Sequence, residues 1–377
     1  MNDKSLVKLG DVAHECRQTW NGDQNNVPIV GLEHLIPGEI ELYSWDSNIE
    51  HTFSKKFVKG QVLLGRRRVY LKKAAVAPCD GICSGDITVI ESTGGILPEL
   101  LPFVIQNDRF FDYAMQGSAG SLSPRVKWEH LKNYEFPLPP LTEQKVLADK
   151  LWAAYRLKES YKKLLAATEE MVKSQFIEMF GIAKSTKPLA DFIEVSFPGE
   201  WGQEDKDGSG VKVIRTTNFT NNGKLDLSDV VTRDIDSAKI EKKKLFKGDI
   251  ILERSGGTND NPVGRVVYFE EDGVYLFNNF TQLLRCKEGV NSLFIFYSLF
   301  NYYQMNKNVI RSMGNKTTGI QNLKMDRYWQ IPIADVSTER QKEFESIFRQ
   351  ADKSGFELRK SIEAIDKVIK SLVNVNL

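Results

Sequence analysis

Two long stretches of the chain, 142–180 and 338–374, contain no proline and carry apolar or small residues at alternating steps of four and three. In the second stretch these are Phe344, Phe348, Ala351, Gly355, Leu358, Ile362, Ile365, Ile369 and Leu372. The first superposes on it position by position, at Leu147, Leu151, Ala154, Lys158, Tyr161, Leu165, Thr168, Val172 and Gln175. This is a heptad seam, and it predicts two long helices that are copies of one element. The first seam is interrupted at Lys158, Thr168 and Gln175, which favours pairing with the more apolar second helix over self-pairing. At ~1.5 Å per residue each helix reaches roughly 58 Å, more than one compact domain needs.

The remaining segments, 1–141 and 182–337, read differently. Short apolar runs at Val62–Leu64, Ile87–Ile90, Val211–Ile214, Ile250–Leu252, Val266–Phe269 and Gln282–Leu284 are bounded by Gly, Asp, Asn and Pro and predict strands. Asp80-Gly81, Asn222-Gly223 and Asp272-Gly273 are hairpin-type turn signals, and helices are expected over Leu97–Met115 and Ser292–Arg311. These segments also repeat. Lys59-Gly60-Gln61-Val62-Leu63-Leu64 returns as Lys247-Gly248-Asp249-Ile250-Ile251-Leu252, Leu9-Gly10-Asp11-Val12 as Leu189-Ala190-Asp191-Phe192, and Phe136-Pro137-Leu138 as Ile331-Pro332-Ile333. The expected fold class is α+β: two mixed α/β domains, 1–141 and 182–337, joined by two long helices, 142–181 and 338–377, in an internal repeat.

Composition narrows the chemistry. The 377 residues are 41% hydrophobic and 27% charged, a globular balance with no apolar run long enough for a bilayer, so a cytoplasmic protein without membrane contact is expected. Fifty-one Lys and Arg against fifty Asp and Glu leave a net charge of +1, so any contact with a polyanion must rest on local patches. Cys16, Cys79, Cys83 and Cys286 are too few and scattered for a disulfide framework, and the Cys79/Cys83 pair has no second pair to complete a metal site; no metal is expected. Phosphate-loop, zinc-protease and serine-hydrolase motifs are missing, as is an Asn-Pro-Pro-aromatic tetrad, which points to a binding protein.

Two local clusters suit nucleic acid. Arg66, Arg67, Arg68, Tyr70, Lys72 and Lys73 follow the Lys-Gly strand of the first half; arginine forks hold phosphates or read guanine edges, and lysines add point charge. In the second half the same place holds Arg254, Ser255, Thr258 and Asn259 among glycines, then Arg265, a set suited to adenine edges and close backbone approach. Loops 116–121, with Ser118, and 314–319, with Lys316 and Thr317, occupy like places and complete the set of candidates.

Gly60-Gln61-Val62-Leu63-Leu64-Gly65-Arg66, Asp80-Gly81-Ile82-Cys83-Ser84, Arg125-Val126-Lys127-Trp128 and Phe136-Pro137-Leu138-Pro139-Pro140-Leu141-Thr142-Glu143-Gln144 together resemble specificity subunits of type I restriction-modification systems over essentially the full chain. The second copy departs at Pro332-Ile333-Ala334-Asp335-Val336, with two extra residues before Gln341. The resemblance implies that each variable half is a target recognition domain reading one part of a split double-stranded DNA site, while the helices pair antiparallel and fix the spacing. It also implies two methyltransferase subunits as partners, with restriction and translocase subunits beyond them. S-adenosylmethionine, ATP and magnesium would then belong to those partners, with no cofactor and no catalysis in this chain. A coiled-coil adaptor that never touches DNA is the alternative reading.

Overall fold

The computed structural model describes residues 5–120, 123–258, 260–317 and 320–377. The chain divides into two compact units: one runs to Leu164 and adds Glu357–Leu377, and the other is Leu165–Phe356. The long helices span Leu141–Phe180 and Thr338–Asn376, so each gives part of its length to each unit.

Each unit is built on a four-stranded antiparallel sheet with the same strand order. In the first it runs Ala13–Cys16, Ile87–Ser92, Val62–Gly65, Ala74–Val76, and in the second Ile193–Val195, Thr281–Cys286, Ile250–Glu253, Val266–Tyr268. The central strands are buried on both faces, Val62, Leu64, Ile250 and Leu252 against helices and Leu63 and Ile251 against the core of the second sheet of each unit, which is why neither run shows apolar/polar alternation. The Lys-Gly repeat has a backbone cause: Gly60 and Gly248 enter these strands at φ of 90° and 93°, a left-handed turn that favours glycine.

Beside these sheets the units diverge. A three-stranded sheet in the first joins Ile29–Val30, Gly81–Cys83 and Lys55–Phe57, whereas the second carries four strands, Gln203–Glu204, Val231–Asp234, Val211–Ile214 and Tyr275–Phe277. Asp80-Gly81 is not a tight hairpin turn, as the dipeptide suggests. Gly81 is a strand residue whose Cβ would lie 2.5 Å from both the Phe57 ring and the Pro28 carbonyl, so glycine serves close packing there. The expected helices are each broken in two, at Leu101–Ile105 and Asp108–Gln116, and at Ser292–Met305 and Lys307–Ser312, with Asn107 and Asn291 as N-caps of Asp108–Gln116 and Ser292–Met305.

The seam is buried or half-buried at every position named from the sequence. In the first unit Leu147 and Leu151, at the start of the first long helix, share a core with Ile369, Leu372 and Val373, at the end of the second. In the second unit the end of one helix meets the start of the other: Phe176 packs on Phe344 with ring centroids 5.1 Å apart, and Val172, Phe348 and Ala351 join them. The pairing is therefore antiparallel. Lys158, a polar interruption of the seam, is buried with its Nζ 2.7 Å from Asp366 of the facing helix, so the charge is matched within the pair.

Hydrogen bonds correct the alignment of the repeat. Leu9 N–H donates to the Tyr134 carbonyl and Leu189 N–H to that of Ile331; Gly10 and Ala190 donate to Lys132 and Trp329. Tyr134 is thus equivalent to Ile331, and Phe136 to Ile333, two residues from the match suggested by the shared proline. No insertion precedes the second helix. Gln144 Nε2 donates to the carbonyl of Pro139 at 2.9 Å and Gln341 Nε2 to that of Val336 at 3.0 Å, so both helices are entered through the same side-chain-to-backbone clamp.

Candidate nucleic-acid interface

The chain leaves each central strand through an equivalent arginine. The Arg66 carbonyl accepts the Val126 N–H at 3.0 Å, and the Arg254 carbonyl accepts the Leu323 N–H at 2.8 Å. In the first unit Arg67 bridges to Arg125, which also bridges to Ala119; in the second, Ser255–Gly256 pairs with Ile320–Leu323, itself paired with Gly314–Thr317. The two clusters that the sequence separates by tens of residues therefore lie side by side in each unit.

In the first unit the cluster is cationic and tied together by ion pairs. The Asp86 carboxylate receives Arg125 at 2.7 and 3.2 Å and Arg67 at 3.5 Å. The Arg125 hydrogen bonds, with the charges of Arg125, Arg67 and Arg66, hold the Asp86 carboxyl below its usual range against the effect of burial. Arg67 also donates to Ser123 Oγ at 3.0 Å, so both forks are aimed yet remain accessible, with side chains about two-fifths exposed. Arg68 and Lys72 adopt left-handed φ of 52° and 51° and bracket a single 3-10 turn, Val69–Leu71. A side chain in that region costs of order 1 kcal/mol, and here it holds Tyr70 and Leu71 out at the tip, 52% and 42% exposed. Arg66 borders a cleft of about 450 Å³ lined by Glu15, Arg17, Lys55, Lys127, Trp128 and Glu129, and its Nε is buried without a hydrogen-bond partner.

Not every cation of the run faces this cluster. Lys72 turns to Asp108 at 2.6 Å, which Lys370 of the second long helix also approaches, and Lys73 donates to the Leu32 carbonyl at 2.7 Å. Ser118 Oγ donates to the Ala114 carbonyl, finishing the preceding helix. Arg125 and Lys127, not among the site residues inferred from sequence, belong to the cluster; their signal was the Arg-Val-Lys-Trp motif, whose strand pairing with Arg67 no local pattern displays.

The second unit presents a different surface. Arg254 makes no side-chain hydrogen bond or ion pair among the described residues. Gly256 and Gly257 follow Ser255 at φ of 114° and 67°, and a Cβ on Gly257 would lie 2.8 Å from the Val263 nitrogen. Thr258 closes a turn by donating N–H to Asn261 O and accepting Asn261 N–H on its hydroxyl. Ser255 Oγ donates to Asn322 Oδ1 at 2.7 Å, and the neighbouring Gln321 is buried with Oε1 unpartnered. Arg265 is occupied internally: both its fork nitrogens bind Glu253, at 2.7 and 3.1 Å, and it also donates to the Thr216 and Phe219 carbonyls. Burial opposes its charge, and the Glu253 carboxylate more than offsets this, raising its pKa. Lys316 and Thr317 sit in the strand Gly314–Thr317, and Asn259 lies outside the described residues.

Two copies of one α+β scaffold, each presenting paired polar loops beyond its central strand and sharing an antiparallel helix pair, define a class of internally repeated binding protein. Residues 184–366 match the type I restriction modification DNA specificity domain. A 119-residue stretch is 29% identical to the type I restriction enzyme EcoDI specificity subunit of Escherichia coli, an alignment spanning 29% of this chain and 26% of that relative. Among solved structures, the type I restriction-modification S subunit from M. genitalium superposes with a TM-score of 0.59 at 11% identity, covering 99% of this chain and 95% of that one. A chain from a type I R-M system, solved for its complex assembly and conformational transition, gives 0.55 at 16% identity over 98% and 96%. Residues 184–366 thus match a specificity-domain family of type I restriction-modification systems, and the whole chain shares the fold of such S subunits. No helix among the described residues is long and apolar enough to cross a membrane.

Proposed function

We propose that this chain is a non-catalytic reader of a two-part DNA sequence, each unit contacting one half-site, and that its helices dock the adenine methyltransferase subunits it directs. The observation that carries the reading is the equivalence of the Arg66 and Arg254 loops: one backbone scaffold positions two side-chain sets of opposite character, as a reader of two unlike half-sites requires. Arg66, Arg67, Arg68 and Arg125 supply phosphate contacts or bidentate guanine contacts, while Arg254, Thr258 and the glycine pair admit close backbone approach to a groove. Among the candidates, Lys72, Lys73 and Arg265 act through the scaffold instead, because their charged ends are already held by this chain.

The outer face of the helices supports docking. Leu157, Leu164 and Met171 recur every seventh residue of the first long helix and are about half exposed, outside the seam. Such a stripe is an aqueous liability unless a partner covers it. The test is to co-purify the chain with methyltransferase subunits, map methylated adenines, and exchange residues 1–141 for those of another specificity subunit. Half of each split site changes if the reading is correct. Failure of the assembled complex to bind DNA would favour an adaptor role.

A further inference from the structure

On one face of the first unit's sheet, three side chains from two neighbouring strands converge. His14 is paired in register with Glu91, and Cys16 lies two residues further along the same strand, so all three project from the same face. Cys16 Sγ lies 3.6 Å from His14 Nε2 and 3.3 Å from Glu91 Oε2, and the three donor atoms lie within 4.8 Å of one another. A tetrahedral ion with bonds of about 2.0–2.3 Å separates its ligand atoms by about 3.5 Å. The two hydrogen-bonded separations already match that edge length.

The second unit supplies an internal control. The places of Gln61 and Glu91 are taken there by Asp249 and Arg285, a buried carboxylate held by both fork nitrogens of its own guanidinium at 2.7 Å. After a shift of register in the edge strand, Val195 stands opposite Arg285 where His14 stands opposite Glu91, and the Leu283 N–H donates to the Phe197 carbonyl at the place of Cys16. The first unit keeps a carboxylate at this place, yet its described partners are the neutral Gln61 amide, at 3.0 Å, and the Cys16 thiol; no Lys or Arg forms an ion pair with Glu91 among the described residues. Where one copy builds in a cation, the other assembles an imidazole, a thiol and a carboxylate.

We propose that His14, Cys16 and Glu91 form a three-ligand site for a divalent transition-metal ion of the zinc class. The nitrogen and sulfur donors select such an ion over calcium or magnesium, which take oxygen ligands. On binding, the Cys16 thiol gives its proton to solvent as the metal–sulfur bond forms, and no redox step is involved. Gln61 Nε2, 3.2 Å from Cys16 Sγ and hydrogen-bonded to Glu91, orients two of the ligands. Water completes the tetrahedron. The ion would pin the edge strand Ala13–Cys16 to Ile87–Ser92, and with it Glu15, which lines the cleft beside Arg66.

The experiment is titration of the metal-free, reduced full-length chain with Co²⁺ and then Zn²⁺. One equivalent of cobalt should give a sulfur-to-cobalt charge-transfer band with tetrahedral visible absorption, and zinc should bleach it. Cys16→Ser should abolish the charge-transfer band and His14→Ala weaken binding at least tenfold, whereas Cys79→Ser and Cys286→Ser should change neither. His14 is exposed, so its substitution tests the site even if Cys16→Ser does not fold. A substoichiometric band, or one that survives Cys16→Ser and is lost with another cysteine, overturns the proposal.

Discussion

The two copies keep the same sheet, the same helix-entry clamp and the same loop anchors, and they differ in how their charges are compensated. In the first, the exposed loop is dense with cations, Arg67 and Arg125 sharing the carboxylate of Asp86, while in the sheet Glu91 stands without a cation among the described residues. The second differs: after Arg254 its loop is rich in glycine, serine and threonine, and two of its guanidinium groups are turned inward, Arg265 to Glu253 and Arg285 to Asp249. An internal repeat thus keeps backbone hydrogen bonds, which any sequence can make, and frees the side chains to diverge.

Substitutions at matched places should separate the two copies, most strongly in the core. Phe344→Ala empties a fully buried site against Phe176, Phe180 and Tyr297 and should lower stability by about 3–5 kcal/mol in urea unfolding, more than Leu147→Ala at the equivalent place. Equal losses would mean that the two ends of the seam carry equal loads. Arg285→Ala strands the buried Asp249 carboxylate and should cost about 2–3 kcal/mol, whereas metal-free Glu91→Gln should cost under about 1 kcal/mol. Replacing Arg66, Arg67 and Arg68 together by alanine should weaken binding to one half-site about tenfold, and the salt slope should fall by up to about 0.9 for each phosphate no longer neutralised. Unchanged half-site affinity with intact folding removes them from the interface.

The smallest effect is one of pH. Because the Asp86 pKa is depressed in the folded chain, its contribution is complete above the unfolded carboxyl range near 4 and is lost as pH falls through the lower folded value. Asp86→Asn should therefore flatten the acid limb of the stability curve by under about 1 kcal/mol, exposed pairs being weak, and leave the neutral limb's slope unchanged.

Much of this architecture is legible in the residues because periodicity reports burial. The seam and the Lys-Gly entry are visible for that reason, and Lys158 looks out of place only until its partner Asp366 is found across the helix pair. Local similarity misleads where one proline dominates a short match, and only the backbone bonds from Leu9 and Leu189 set the register. The candidate interface is legible as a cluster and not as a direction. Lys72 and Lys73 look like two more free cations in the run, but Asp108 and Leu32, which take their charged ends, are 36 and 41 residues away. The His14, Cys16 and Glu91 grouping is hidden likewise, since Cys16 and Glu91 are 75 residues apart.

The division of the long helices also has a consequence in time. The first unit is completed by Glu357–Leu377, and Val373 and Leu377 are buried in the same core as Leu147, Leu151 and Tyr155. On a ribosome adding about 5–20 residues per second, Val373 and Leu377 are made roughly 10–40 s after Tyr155. The part synthesised first must therefore wait, its apolar helix face uncovered, while the second unit is built. The second unit, whose residues are contiguous from Leu165 to Phe356, can close before the first is finished. Birth order and folding order are opposed in this chain, and a nascent-chain binder would find its target in the amino-terminal half.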